Sequence, residues 1–256
     1  MRYFIELSYH GKNYHGWQLQ PNAESIQEVL ENSLSLLLSK SISIVGCGRT
    51  DAGVHASQFF LHFDVKKRLD GDQLKFKLNA FLPNDIAIIR IFLVNSDAHA
   101  RFDATYRSYA YRISLVKDPF LVDTSWQIKH DDLDIIKMNN AAKLLMEYKN
   151  FKSFSRSKTD VKTYNCTVRS AAWKKENNLL VFYITANRFL RNMVRAIVGT
   201  LLEVGKSNLS VEDFRSIIEG EDRTKAGASV KAKGLFLTEI GYPDEILIHR
   251  NVRTKR

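Results

Sequence analysis

The densest chemistry in the chain lies in Gly46-Cys47-Gly48-Arg49-Thr50-Asp51-Ala52-Gly53-Val54-His55-Ala56. Three glycines within eight positions let the backbone turn tightly, so such a loop can push Arg49 and Asp51 toward a ligand while Thr50 bonds locally. The spacing does not match a phosphate-cradling loop, which ends in Lys-Ser/Thr. From composition alone, an ordinary polar turn with Asp51 capping the backbone is the competing reading.

A second concentration is Arg188, Arg191 and Arg195, spaced i, i+3 and i+7 on a helix expected over 188–204, which makes one helix face basic. A solvated surface stripe competes with that reading. Tyr109 alternates with Tyr111 on a predicted strand, a pattern that core packing also produces. Trp17 reads as a packing anchor and His55 as a hydrogen-bonded structural histidine. Cys47 and Cys166 have no metal-like spacing, and without a secretion signal they are expected to stay reduced.

The elements that must position these residues fall into two similar series. Alternation predicts a strand over 2–9, and Ser25 with Glu28 marks a capping box that starts a helix. Strands follow at 42–47 and 59–63, a helix at 72–80, and at 86–94 a nearly continuous apolar run read as a buried strand. The second series has a strand at 106–116, a helix at 132–148, and a hairpin of 163–174 with 179–186 around Asn177. Helices at 188–204 and 211–219 and a strand at 235–240 complete it.

Two strand-helix-strand-strand-helix-strand series describe an α+β fold of two ferredoxin-like (βαββαβ) halves, 1–100 and 101–256. The expected sheet is mixed and mainly antiparallel. Its helices cover one face, its other face is free to meet RNA, and a central RNA-binding cleft lies between the halves. A basic tail, 249–256, ends the chain.

The chain has 38 basic and 28 acidic residues and a formal charge of +10, which points to a polyanionic partner. No run approaches the roughly 18 apolar residues of a membrane span. The opening MRYFIELSYH is charged and alternating, unlike a signal peptide, so no membrane partner and a cytoplasmic setting are expected.

GRTDAGVHA (48–56) resembles the catalytic motif of the tRNA pseudouridine synthase A family. The resemblance extends to Tyr9-His10-Gly11, Tyr14 through Gln20, Asn79 through Ile86, His99-Ala100-Arg101-Phe102, Phe151-Lys152-Ser153-Phe154 and Phe189 through Arg195, in order from about residue 2 to 243. One stretch departs from it. Where the family commonly has an Ala-Pro-Ala-like segment before the last strand, this chain has Val230-Lys231-Ala232, after a loosely similar Thr224–Ser229.

The resemblance implies an isomerase that converts uridine to pseudouridine at positions 38, 39 and 40 of the tRNA anticodon stem-loop. It implies no cofactor and no metal, and a homodimer whose partner is tRNA. It assigns Asp51 as the essential carboxylate, Arg195 as the cation that keeps Asp51 charged and oriented, and Tyr109 as the residue stacking on the target base and a candidate relay for the C5 proton. A carboxylate suits such a task because it can attack covalently or stabilise charge on a ribose as the base departs. Whether Asp51 attacks C1′ or C6, or removes a 2′ proton, stays open. Arg49 is a candidate to fill the space left by an extruded base, or a phosphate contact. Lys12, Arg107, Arg188 and Arg191, with Lys152, Arg156 and Lys158, are candidate RNA-binding residues. A non-catalytic tRNA-binding or chaperone protein, and the same chemistry on another RNA, are the alternative readings.

Overall fold

Alternating apolar residues and well-capped helices build a mixed α/β domain, seen here in a computed structural model that describes residues 1–129, 132–157 and 161–246. The strands are β1 (Arg2–Tyr9), β2 (Val45–Gly46), β3 (His55–Asp64), β4 (Ile86–Val94), β5 (Tyr106–Ser114), β6 (Trp126–Gln127), β7 (Val168–Glu176), β8 (Leu179–Ala186) and β9 (Leu235–Gly241). The helices are α1 (Ile26–Leu38), α2 (Gly71–Phe81), α3 (Ile135–Leu144), α4 (Met193–Gly205) and α5 (Val211–Glu219). The expected tail at 249–256 and Lys158 lie outside the described residues.

One sheet runs β4-β1-β3-β9-β5-β8-β7, with β2 added to β3 and β6 to β5. The N-terminal strands read β4-β1-β3-β2 and the C-terminal strands β9-β5-β8-β7, so the same ferredoxin-like order occurs twice. Among the described residues only β3–β9 and β5–β6 pair in parallel. The first of these joins the two series through His55↔Phe236 and Ala56↔Leu237. The far end of the same β3 edge pairs with β2, at Val45↔His62 and Gly46↔Leu61. The loop 47–54 therefore leaves the sheet where that edge passes from one partner to the other.

Two apolar cores flank this junction. One gathers Tyr3, Ile5, Leu7, Phe59, Leu61 and Phe63 of the sheet with Ile26, Leu30 and Leu34 of α1 and Leu74 and Leu78 of α2. The other gathers Tyr111, Ile113, Phe182 and Ile184 with residues of α3, α4 and α5. Tyr109 touches both. Trp17, expected as an anchor, is buried and stacks on Phe59 at 4.0 Å between ring centres. Both cysteines are free and buried.

Several expected boundaries move. The helix predicted at 188–204 begins at Met193, because Asn192 takes a left-handed conformation (φ 66°) that a continuing α-helix cannot contain. Arg188 and Arg191 thus sit in the approach to α4, not on its face. The helix predicted from 132 starts after Asp134, whose side chain accepts from the Lys137 N–H. Strand 42–47 contracts to Val45–Gly46, and strand 163–174 starts at Val168. β4, expected to be buried, is an edge strand with Ala87 and Ile89 exposed, since only β1 pairs with it.

Candidate active site

The loop carrying Asp51 is held from below by the segment after β1. Gly16, at φ +89°, approaches so closely that a Cβ there would stand 2.4 Å from the Thr50 carbonyl oxygen. The next residue, Trp17, donates its N–H to that same oxygen at 3.2 Å, and Gly53 donates to the Tyr14 carbonyl. The Thr50 hydroxyl shares a 2.8 Å hydrogen bond with the buried Tyr9 hydroxyl. At the loop's exit His55 accepts from the Gly11 N–H at Nδ1, and its Nε2 lies 3.1 Å from the Lys233 carbonyl oxygen, so both ring nitrogens are occupied. Burial lowers its pKa to about 4. The structural role expected for His55 fits these bonds.

With its neighbours fixed, Asp51 presents its carboxylate partly to solvent, at 29% exposure. Two arginines from the far side of the sheet junction face it. Arg195 Nη1 lies 3.5 Å from Oδ2 and Arg191 Nε lies 3.8 Å from Oδ1. These are ion-pair distances, too long for tight hydrogen bonds. The two cations differ in mobility. Arg195 is 21% exposed and its Nε also donates to the Val230 carbonyl at 2.7 Å, whereas Arg191 is 56% exposed.

Tyr109 stands beside this group. It shares its strand face with Tyr111 and Ile113, which are buried in the core beneath α3 and α4. This puts Tyr109 on the helix-bearing side of the sheet, at the junction of the two series. Its ring meets the edge of Phe189, with ring centres 5.0 Å apart, in the segment leading into α4. Burial pushes the Tyr109 phenol well above its ordinary value, and the charge of Asp51 pushes the same way against the opposing Arg107. A phenol in this position holds its proton and is suited to donate a hydrogen bond.

The structure thus gathers Asp51, Arg191, Arg195 and Tyr109. Arg49 is exposed on the same loop, with no hydrogen bond or ion pair among the described residues. The other candidates are engaged elsewhere. Arg107 donates to the carbonyls of Cys47, Arg101, Ala104 and Asn187, which ties the start of the Asp51 loop to the far segment. Lys12 pairs with Asp123 at 2.7 Å, Arg188 donates to the Thr163 carbonyl at 3.3 Å, and Lys152 lies 3.7 Å from Glu221. Sequence reasoning missed the Val230 carbonyl, which has no side-chain signal, and Phe189. It also missed Asn192, although asparagine before an apolar helix is a fair sign of a left-handed turn.

Among the described residues no helix is long and apolar enough to cross a membrane. A family model described as tRNA pseudouridine synthase matches residues 7–103 and 141–243. The tRNA pseudouridine synthase A of Bacteroides fragilis is 53% identical over 247 residues, covering 96% of this chain and 98% of that protein. The protein of that name from Bacteroides thetaiotaomicron is 51% identical over 96% of this chain and 92% of its own length. That of Clostridium acetobutylicum is 36% identical over 93% and 98%. With matches of this extent on both sides of the sheet junction, the chain belongs to the tRNA pseudouridine synthase family, a family of isomerases.

Proposed function

We propose that this protein isomerises uridine to pseudouridine at positions 38, 39 and 40 of the tRNA anticodon stem-loop, using Asp51 as its essential group. One observation carries the reading: a partly exposed carboxylate faced by two arginines, with Tyr109 beside them. In the reaction the C1′–N1 bond breaks, the freed uracil turns and C1′ joins C5. The C5 proton is lost and N1 gains one. Asp51 supplies the carboxylate oxygen at the sugar or base, and Arg195 and Arg191 aim it. Tyr109 packs against the target base and donates from its phenol. Burial disfavours its tyrosinate, so any relay of the C5 proton through Tyr109 starts from the protonated phenol.

A target in or beside a stem must leave its stack first, at a cost of a few kcal/mol. Arg49, unengaged and two residues before Asp51, is placed to fill the gap. The two series act as halves 1–100 and 101–256, meeting at the β3–β9 junction. A homodimer in the cytoplasm, as the family resemblance implies, completes the reading.

The test is release of the C5 hydrogen from labelled uridine in a tRNA transcript, followed by mapping of pseudouridine. Turnover at 38–40 by wild type, and none by Asp51→Asn with tRNA binding retained, is the expected result. Binding without turnover in wild type would leave a tRNA-holding protein instead.

A further inference from the structure

The loop 223–230 lies against the middle of α4 at unusually close range. A Cβ at Gly199 would stand 1.9 Å from the Ala228 carbonyl oxygen, so only glycine lets the loop lie on the helix there. Gly227 donates its N–H to the Thr200 hydroxyl at 2.9 Å. Val230 is buried, and its backbone makes a reciprocal pair with Arg195. Its N–H donates to the Arg195 carbonyl at 3.2 Å, and its carbonyl accepts from Arg195 Nε at 2.7 Å.

Immediately before it, the Ser229 hydroxyl accepts two hydrogen bonds. Asn192 Nδ2 donates at 2.6 Å and Arg223 Nη2 at 3.0 Å. The other arm of Arg223 donates to the Ala226 and Gly227 carbonyls, both at 3.2 Å. Ser229 is thus the knot between the loop and the left-handed turn at Asn192. That turn separates Arg191 from α4, and it lets a loop residue and a helix residue reach opposite oxygens of one carboxylate.

We propose that Ser229, with Arg223 and Asn192, is a positioning group for the reaction: it locks the turn and the Val230 carbonyl that together aim Arg191 and Arg195 at Asp51. The proposal rests on the catalytic reading of Asp51 above. Ser229 bonds Asn192 and Arg223 rather than the carboxylate, and acts through the arginines.

Two measurements test it, one of them independent of turnover. In NMR of arginine side chains, Arg195 Nε–H is expected to exchange slowly in wild type and in Ser229→Thr, and rapidly in Ser229→Ala. In single-turnover assays, Ser229→Ala should lower the rate on the order of tenfold, inside the hundredfold that an ångström of misplacement can cost. Apparent tRNA affinity and melting temperature should stay near wild type, and Ser229→Thr should recover most of the rate. Combined with Arg195→Lys, Ser229→Ala should add little, because both changes disturb the same contact. Slow exchange retained in Ser229→Ala, a wild-type rate in that variant, or fully multiplicative losses would each overturn the proposal. If wild type itself makes no pseudouridine, the catalytic reading fails, while the exchange measurement still decides whether Ser229 holds Arg195.

Discussion

Gly16 lies against Thr50 so closely that any side chain at position 16 would enter the Thr50 carbonyl. A glycine of the segment after β1 thereby sets the height of the Asp51 loop. Gly16→Ala would combine a steric clash with a left-handed residue bearing a Cβ, at a cost of roughly 1–3 kcal/mol for the backbone alone. Its unfolding midpoint in urea should drop accordingly, and turnover should fall further than the loss of folded protein explains. A variant with the wild-type midpoint and rate would show that the loop is positioned by something else.

The two arginines facing Asp51 should not be equivalent. Arg195 is anchored by Val230 and largely shielded, so Arg195→Ala should cut the single-turnover rate on the order of a hundredfold through loss of alignment. Arg191 is more exposed and its pairing is weakened by solvent, so Arg191→Ala should cost less in rate. It should lose more in tRNA affinity, and do so in a salt-dependent way, if its guanidinium turns to a phosphate when RNA binds. Equal rate losses, with no effect on binding, would contradict this division.

Tyr109 offers a test by pH. Its folded value lies above that of a free phenol, so the proton stays on throughout the neutral and mildly alkaline range. No rise in rate attributable to tyrosinate should occur below about pH 10, the ordinary phenol value. Tyr109→Phe keeps the ring and should lose only what the hydroxyl donates. An alkaline limb below that value which vanishes in Tyr109→Phe would reinstate the phenolate as a base.

Two buried histidines give stability a pH dependence of known sign. His55 and His62 are held near pKa 4 by burial, against roughly 6.5 when unfolded. Between those values the unfolded chain binds protons that the folded chain refuses. Stability is therefore complete above about pH 7 and falls as the pH drops from 6.5 toward 4. Each histidine contributes up to about 1.4 kcal/mol per pH unit. Urea midpoints measured from pH 7 to 5 should decline steadily, and a flat series would mean that one or both rings take up protons in the fold.

Much of this was readable in advance, for physical reasons that differ by element. β1, β8 and α5 are set by local alternation and caps, and their bounds stand, while the hairpin keeps its turn at Asn177. Ser25 and Ser210 begin their helices as their hydroxyls suggest. The misjudged features depend on distant partners. β4 reads as apolar throughout, and only the sheet order reveals that it lies at an edge. The helix at 188–204 looked continuous because nothing nearby in sequence shows that Asn192 is tied to Ser229, 37 positions later. In the site, Asp51, Arg195 and Tyr109 were named from motifs. That Arg107 spends its guanidinium on backbone carbonyls, and that Arg191 faces Asp51, required the chain to be folded.

The handover along the β3 edge has a consequence for synthesis. The carboxylate is made early, and its two cations come more than 130 residues later, in the series that pairs with β3 through β9. A chain emerging from the ribosome therefore carries Asp51 well before either of the arginines that come to face it.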